Sequence, residues 1–519
     1  MPNDPANPRV FLVGAGPGSP GLLTVRGAEV LGRADLVLYD QLVPERLLDL
    51  APPHAERLCV RDLPGQHPDK YPFIHQKLIA TATAGKTVVR LKGGDPLIFG
   101  RGGEEAEALR AAGLAYEIVP GVSAAIAAGA YLELPLTHRL YSSAVAFVTG
   151  HELPNKPGNK LDWKALAAFP GTLAIYMGIA RLPVLVNELL RYGKPPDTPA
   201  GIVERTSVGE QRSVFATLAT LEDARRHAGL EAPGLILIGE AVAHRAPHPW
   251  FEGRPLFGRR VLVTRPAHQA AGMVRKLEHL GAVVSRMPVV EIREPADTAP
   301  TDLALAQLRA GAWDWLVFTS ANGVHALLRR LDQIGRDTRD LGGVKLAAIG
   351  PNTADALREY RLRADLVPGT TFSSEGLVEA LKPHVTGKRV LLARANRGRV
   401  LLRDALEAVA TVEQVTVYDQ VDTVDPDAAV LDALRRGEIR YVTLPSSNIA
   451  RGVLGGFDET IRGRVERGEI HLVAISPETG NAVRELGLPV AAEATTFTED
   501  GLIRAVVELA QRDVIHPAH

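Results

Sequence analysis

The sequence predicts an α/β protein built from repeated strand–loop–helix units around parallel sheets. Two observations predict this. Short apolar runs such as VFLV at 10–13, VVRL at 88–91 and WLVF at 315–318 alternate with helix-length segments. These runs open repeatedly into turns rich in Gly, Pro, Ser, Thr and Asn, which begin the next helix.

A chain of 519 residues, 46% of them hydrophobic, has length for two to four globular domains. Its 59 Lys and Arg balance 60 Asp and Glu, so no global field recruits nucleic acid or a membrane surface, and any polyanionic ligand has to be met by local arginines. The single cysteine, Cys59, excludes an intrachain disulfide and a cysteine-rich metal site; no metal is expected. The polar, proline-broken start MPNDPANP has no secretory pattern, and no apolar run reaches membrane-spanning length, so the expected location is cytoplasmic.

In order, the strand at 10–13 leads into GAGPGSPG and a helical pattern over 22–31. Gly14 and Gly16 begin a dinucleotide fingerprint, but Pro17-Gly18-Ser19 follows and the third glycine is missing. Pro17 also removes an N–H where a phosphate cradle needs one, which favours a less charged ligand. The next strand, ADLVLYD, ends at Asp40, where open parallel sheets place ligands and catalysis. General base and helix N-cap are equally open readings of Asp40.

The stretch VVRLKGGDPLIFGRGGEE at 88–105 reads as a buried strand opening into a loop that a ligand approaches. Gly93 and Gly94 remove both Cβ atoms, giving a flat ligand access to the main chain, and Asp95 offers a carboxylate; an ordinary strand-to-helix turn is the alternative. Gly102-Gly103 and Glu104-Glu105 then open a helix. Further on, EIVPGVSAAIAAGA gives a strand, a Pro120-Gly121 turn and a small-residue helix from Ser123, suited to a close ligand or to tight packing on the sheet. PAGIVERTS and RSVFATLATL read as strands, LEDARRHAG as a helix and GLILIGEAV as a closing strand.

The motifs GAGPGSPGLLT, ADLVLYDQLV, LKGGDPLIFGRGGEE, VPGVSAA, LPLTHR, VTGH and IYMG stand in the order and spacing of the uroporphyrinogen-III C-methyltransferases, and residues 9–250 closely resemble that branch of the tetrapyrrole methylase family. The resemblance implies a two-lobed α/β fold, S-adenosylmethionine bound between the lobes, and a homodimer. It places the donor site at Pro17, Gly93, Gly94, Asp95, Ile98, Ser123, Ala124, Met177 and Thr206, and makes Asp40 the proton acceptor. Backbone and apolar contacts suit a neutral adenosine carrying a sulfonium. One departure is CVRDLPGQH: Asp62 stands where the family often has a lysine proton donor, and the neighbouring Arg61, permanently charged, is a poor substitute. Thr206 stands where a glycine is often found. His138, Arg139 and His151, near strand ends, are candidates for substrate carboxylates, with structural or solvated roles equally open.

Residues 251–257 form the expected linker, in a stretch of mixed Pro, Gly, Arg and aromatic residues whose Trp250, Phe251 and Phe257 suggest docking on a surface. Beyond it, VLVTR, AVVSRMPVVEI, WLVFTSANGVHALL, KLAAIGPNTADAL, RVLLARANRGR, QVTVYDQV, YVTLPSSNIARG and HLVAISPETGNAV alternate strand and helix again. Four turns, at 319–323, 350–353, 446–448 and 476–479, carry Ser, Thr, Asn or Gly at the crossing. A capping role alone would explain each turn; four of them in one doubly wound region favour an anion-binding cleft of hydroxyls and N–H groups.

The ordered motifs VLVTRP, FTSANGV, AIGPNTA, VTVYDQ and AISPETG make residues 258–519 similar to uroporphyrinogen-III synthases. The resemblance implies two flavodoxin-like lobes joined by MPVVEI and QVTVYD, lobe one from 258–292 and 422–519 and lobe two from 296–416, with no cofactor. Tyr418 matches the tyrosine that assists departure of the hydroxymethyl oxygen, while a packing role between lobes stays open. Thr319, Ser320, Thr353, Ser446, Ser447 and Thr479, with Arg394 and Arg397, are the expected carboxylate-binding groups; Arg265 and Arg399 are further candidates. The expected function is a bifunctional enzyme that cyclises hydroxymethylbilane to uroporphyrinogen III and methylates that product twice, giving precorrin-2 for the sirohaem or cobalamin branch. The rival is a methylase fused to a non-catalytic tetrapyrrole-binding regulatory module.

Overall fold

In the computed structural model, which describes residues 8–64, 71–151, 161–369, 371–397, 400–422 and 427–515, the chain forms two compact units. One comprises Met1–Arg259 with Leu277–Val283, the other Arg260–Lys276 with Val284–His519.

The first unit holds two sheets. Strands β1 (Val10–Gly14), β2 (Leu36–Tyr39), β3 (Glu56–Cys59), β4 (Val88–Lys92) and β5 (Tyr116–Val119) form one in the order β3-β2-β4-β1-β5. Every pairing is parallel, which is why β1 and β4 read as continuous apolar runs: both faces are covered. The parallel order brings the carboxyl ends of β1, β2 and β4 together, and with them the Gly14, Asp40 and Gly93 loops. The second sheet contains β6 (Val145–Thr149), β7 (Thr172–Tyr176), β8 (Pro199–Glu204), β9 (Arg212–Thr217) and β10 (Gly234–Ile238), ordered β6-β7-β10-β8-β9. Only its β6–β7 pairing is parallel. Strand β9 stops at Thr217, short of the RSVFATLATL run, because Thr217 and Thr220 form a capping box that turns the chain into a helix. As the aromatic linker suggested, Phe251 is buried with its ring 4.7 Å from that of Tyr131, and the Trp250 indole N–H donates to the Ala130 carbonyl at 3.0 Å.

The second unit also holds two sheets. Strands β11 (Arg260–Val263) and β12 (Val283–Arg286) join β18 (Tyr441–Leu444), β19 (His471–Ala474) and β20 (Ala492–Glu493) in the order β12-β11-β18-β19-β20. Between them in sequence, β13 (Val290–Arg293), β14 (Trp315–Phe318), β15 (Lys345–Ala348), β16 (Arg389–Ala395) and β17 (Thr411–Asp422) are ordered β13-β17-β16-β14-β15. The run AVVSRMPVVEI is therefore two strands, and the break falls at Pro288, which has no N–H for a ladder. Strand β13 pairs antiparallel with β17. Helix Ala321–Gln333 packs its apolar stripe of Val324, Leu327, Leu328 and Leu331 into the core of the β14–β16 sheet, which leaves its first turn at the sheet's carboxyl edge.

Candidate functional sites

The first unit's site is built on a backbone crossing. Gly16 and Gly94 form a two-residue antiparallel bridge, Gly94 N–H to Gly16 C=O at 2.9 Å and Gly16 N–H to Gly94 C=O at 3.2 Å. Gly94 has φ +68°, a conformation that favours glycine. Gly121 lies across the same point: a Cβ on it would stand 2.2 Å from the Gly94 oxygen and 2.7 Å from the Gly14 Cα. Three loops thus meet with no room for a side chain at Gly14 or Gly121. Asp95 staples the crossing, one carboxylate oxygen accepting from Gly121 N–H at 3.0 Å and the other from Leu97 N–H at 2.8 Å.

The donor residues expected from sequence come together from both sheets. Ser123, nearly buried, lies 2.6 Å, hydroxyl to hydroxyl, from Tyr176 at the end of β7, and that Tyr176 hydroxyl accepts from Ala125 N–H at 3.0 Å. Met177 follows with φ +54° and half its surface exposed. Ile98 is half-buried, and its neighbour Phe99 packs on Tyr176 with ring centroids 5.0 Å apart. On the other side, Ser19 N–H donates to the Ser207 hydroxyl at 2.9 Å, joining the Pro17 loop to the buried Thr206 turn. Burial pushes the Tyr176 phenol upward, only partly opposed by its hydrogen bonds, so it stays neutral and able to donate or accept.

Asp40 begins the loop after β2, its N–H bonded to the Leu91 carbonyl at 3.1 Å, and its side chain keeps 30% of its surface exposed. Sequence reading missed its partner. Arg90, on β4, reaches Asp40 Oδ1 with Nη2 and the fully buried Glu105 with Nε at 3.0 Å; Lys92 donates to the same Glu105 oxygen at 2.8 Å. Burial works against the charge on Arg90, but Glu105 and Asp40 overcome it and hold the guanidinium above its usual range; Lys92 is pushed down by burial and by Arg90. A signal existed: two cations at alternate positions of the apolar run VVRLK demand buried partners. Asp62 lies beside Arg61, 3.6 Å away, and both are exposed. His138 stacks with Tyr141 and His244 at ring distances of 4.7 and 5.5 Å, while Arg139 and His151 are exposed.

In the second unit the expected residues fall into two groups. At the carboxyl ends of β14, β16 and β17, the Tyr418 hydroxyl lies 2.9 Å from that of Ser320, which caps its helix by accepting from Gly323 N–H at 3.1 Å. Thr319 is half-buried beside it, and Thr353, after β15, is buried within its helix. Arg394 is buried, donates to Gln414 at 3.3 Å, and is pushed below its usual range by burial, with Tyr418 opposing. Arg397 reaches both oxygens of Asp422 at 2.8 Å. A cavity of about 420 Å³ beside Tyr418 is lined by Asn322, His325 and Arg329 among others. Ser446, Ser447 and Thr479 form the second group, after β18 and β19; Ser446 accepts from Ile449 N–H and Ser476 from Thr479 N–H, each at 3.3 Å, and Thr479 itself is buried. Gln269 Nε2 donates to Asn322 Oδ1 at 2.5 Å, linking the first turn of the helix Ala267–His279 to the helix that Ser320 caps, a contact no motif indicated. Arg265 lies 3.7 Å from Glu499, and Arg399 lies outside the described residues. Among the described residues there is no cluster fit to hold a metal and no helix long and apolar enough to cross a membrane.

Residues 9–222 match the family described as tetrapyrrole (corrin/porphyrin) methylases and residues 271–504 that described as uroporphyrinogen-III synthase HemD. The porphyrin biosynthesis protein HemD of Ruminiclostridium josui is 32% identical over 508 residues, covering 96% of this chain and 98% of the relative. The uroporphyrinogen-III C-methyltransferase of Priestia megaterium is 44% identical, covering 45% of this chain and 98% of that one. The native crystal structure of the Thermus thermophilus uroporphyrin III C-methyl transferase is 41% identical, covering 46% of this chain and 94% of that one, with a TM-score of 0.39. Fold and sites thus define a bifunctional α/β enzyme of tetrapyrrole biosynthesis. The chain belongs to the porphyrin-biosynthesis HemD family, in which a tetrapyrrole methylase is fused to a uroporphyrinogen-III synthase.

Proposed function

We propose that the second unit cyclises hydroxymethylbilane to uroporphyrinogen III, and that the first transfers two methyl groups from S-adenosylmethionine to that product, giving precorrin-2. The observation that carries this reading is the pairing, in one chain, of an Asp40 carboxylate beside a glycine crossing with a Tyr418–Ser320 hydroxyl pair. The crossing fits the donor: it offers backbone and small or apolar groups and no cationic cradle, as a neutral adenosine with a sulfonium requires. The donor supplies an electrophilic methyl group. Gly93, Gly94, Ser123, Ala124, Met177 and Thr206 would hold it, and Asp40 would take the proton released as a pyrrole carbon is alkylated.

In the synthase half, the Tyr418 hydroxyl is hydrogen-bonded to that of Ser320, so it stands where it can donate to a departing hydroxide while the electron-rich pyrrole supplies the push. Ser320, Thr319, Ser446, Ser447 and the helix N-termini they open would bind the substrate's carboxylates, with Arg394 and Arg397 adding charge. The homodimer implied by the family and the cytoplasmic location expected from the sequence belong to the same proposal; sedimentation of the purified chain tests the first.

The deciding experiment is anaerobic incubation of the full chain with hydroxymethylbilane, with and without S-adenosylmethionine, followed by chromatography of the oxidised products. Type III isomer alone, converting to a dimethylated product when the donor is added, is expected. Type I isomer alone would make the second unit a binding module, and unmethylated type III would count against methyl transfer at the Asp40 site.

A further inference from the structure

The methylase reading leaves the Glu104-Glu105 pair after Gly102-Gly103 without a role, and the structure gives Glu105 an unusual one. Its side chain is completely buried. One oxygen accepts from both Arg90 Nε, at 3.0 Å, and Lys92 Nζ, at 2.8 Å; the other has no partner among the described residues. Arg90 and Lys92 are themselves 2% and 1% exposed. Arg90 Nη1 donates to the carbonyls of Leu38 and Leu91, each at 3.3 Å, and Nη2 holds Asp40 Oδ1.

Three of these four charged groups have almost no access to water; only Asp40 reaches the surface. A guanidinium is a rigid planar fork, so fixing Nε at Glu105 and Nη1 at two carbonyls fixes the direction of Nη2 and the carboxylate oxygen on it. The other Asp40 oxygen is then presented in a set orientation. Two cations thus face two carboxylates: Glu105 is shared by Arg90 and Lys92, and Asp40 is held by Arg90. Burying such a group as a stability device is inefficient, because desolvation consumes most of what the pairing returns. Its chemical consequence is orientation of the one exposed member.

We propose that Glu105 is a positioning residue for methyl transfer, fixing the Asp40 carboxylate through the Arg90 guanidinium. The inference rests on the reading of Asp40 as proton acceptor. Glu105→Gln is a close test of it: the side-chain shape is kept, but the charge that strengthens the hydrogen bond from Arg90 Nε is removed, so the guanidinium is held less firmly.

The experiment uses the full chain in four forms: unaltered, D40N, E105Q and the double variant. Each is given uroporphyrinogen III and saturating S-adenosylmethionine anaerobically, with binding of S-adenosylhomocysteine by calorimetry as the donor-site probe and synthase turnover as the folding control. The expected result is that E105Q lowers methylation kcat about tenfold, leaves probe affinity within about twofold, and costs nothing further once Asp40 is Asn. A purely structural glutamate would lower activity by the same factor in both backgrounds, and that additivity overturns the proposal, as does a loss of probe affinity with kcat unchanged. Should E105Q fold poorly, R90K keeps the charge but not the fork, and the same absence of further loss in the D40N background is expected. An unimpaired D40N would instead remove the reading of Asp40 itself, and the inference with it; an impaired D40N with additive E105Q removes the inference alone.

Discussion

Tyr418 and Ser320 stand 2.9 Å apart, hydroxyl to hydroxyl, although 98 residues separate them in the chain. Tyr418 lies on β17 and Ser320 two residues past the end of β14, with β16 between the two strands in the sheet. The same Ser320 oxygen caps the helix Ala321–Gln333. The phenol is therefore tied to a helix N-terminus, where partial positive charge favours an anionic leaving group.

Tyr418→Phe should lower cyclisation kcat by about 100-fold, the usual worth of a positioned proton donor, with methylation of supplied uroporphyrinogen III unchanged. Ser320→Ala leaves the phenol in place and should reduce turnover less, while the lost cap costs about 1 kcal/mol of stability. Rapid-quench analysis of type III and type I isomers, beside a melting curve, separates the two; equal loss of both activities in Tyr418→Phe would count against independent sites.

Gly121→Ala should weaken donor binding severely. Its Cβ would lie 2.2 Å from the Gly94 oxygen, a contact that forces backbone to move rather than a side chain to rotate. Overpacking of this kind costs about 1–3 kcal/mol, here concentrated where three ligand-facing loops cross. Calorimetric titration with S-adenosylhomocysteine reads the effect, and affinity equal to that of the unaltered chain would show that the crossing is not part of the donor site.

How far these relationships were legible depended on whether the cause was local. The alternation of strand and helix, the Ser320, Ser446 and Ser476 caps and the Gly93-Gly94 loop follow from short-range pattern, because a capping serine or a glycine pair acts within a few residues, whereas strand order is set by pairings far apart in the chain. The Arg90–Glu105–Lys92 group did not, since charged residues in a strand announce a buried partner without saying which one. At Asp95, a carboxylate the sequence offers to a ligand, each oxygen also accepts from a backbone N–H group, one of them 26 residues away, which the GGD motif does not indicate. Tyr176, beside Met177 in IYMG, carries no local signal of its role, because its partners Ser123 and Ala125 lie 53 and 51 residues earlier in the chain.

Tyr176→Phe follows from that last geometry. It deletes two hydrogen bonds to the first turn of the helix Ala124–Tyr131 and leaves the nearly buried Ser123 hydroxyl with one partner fewer. A loss of about 1–2 kcal/mol in stability is expected, from ordinary hydrogen-bond energetics. If the helix start also holds the donor, the affinity for S-adenosylhomocysteine falls as well while cyclisation is untouched; unchanged affinity would confine Tyr176 to a structural role.

Asp513, near the end of the helix Glu499–Ile515, sets a pH-dependent part of the second unit's stability. It accepts from Arg440 Nε at 2.9 Å and from the Tyr441 hydroxyl at 2.7 Å, with His471 3.5 Å away. Burial works to raise this carboxyl, but the hydrogen bonds from Arg440 and Tyr441 outweigh it and hold the group below the usual carboxylate range. A folded value below the unfolded one means the stabilisation is complete above the unfolded value, about 3.9, and is lost as pH falls through the folded value. His471 adds an earlier step of the same sign: burial pushes it down, so the unfolded chain takes up that proton first and stability declines below the ordinary histidine value of about 6.5. Asp513→Asn keeps the shape and removes the acid step. Calorimetry of the full chain should show the synthase-half transition lowered by about 1–2 kcal/mol at pH 7, with the gap to the unaltered protein closing below about pH 4. A gap that stays constant down to pH 3 would mean the Asp513 carboxylate contributes shape and not charge.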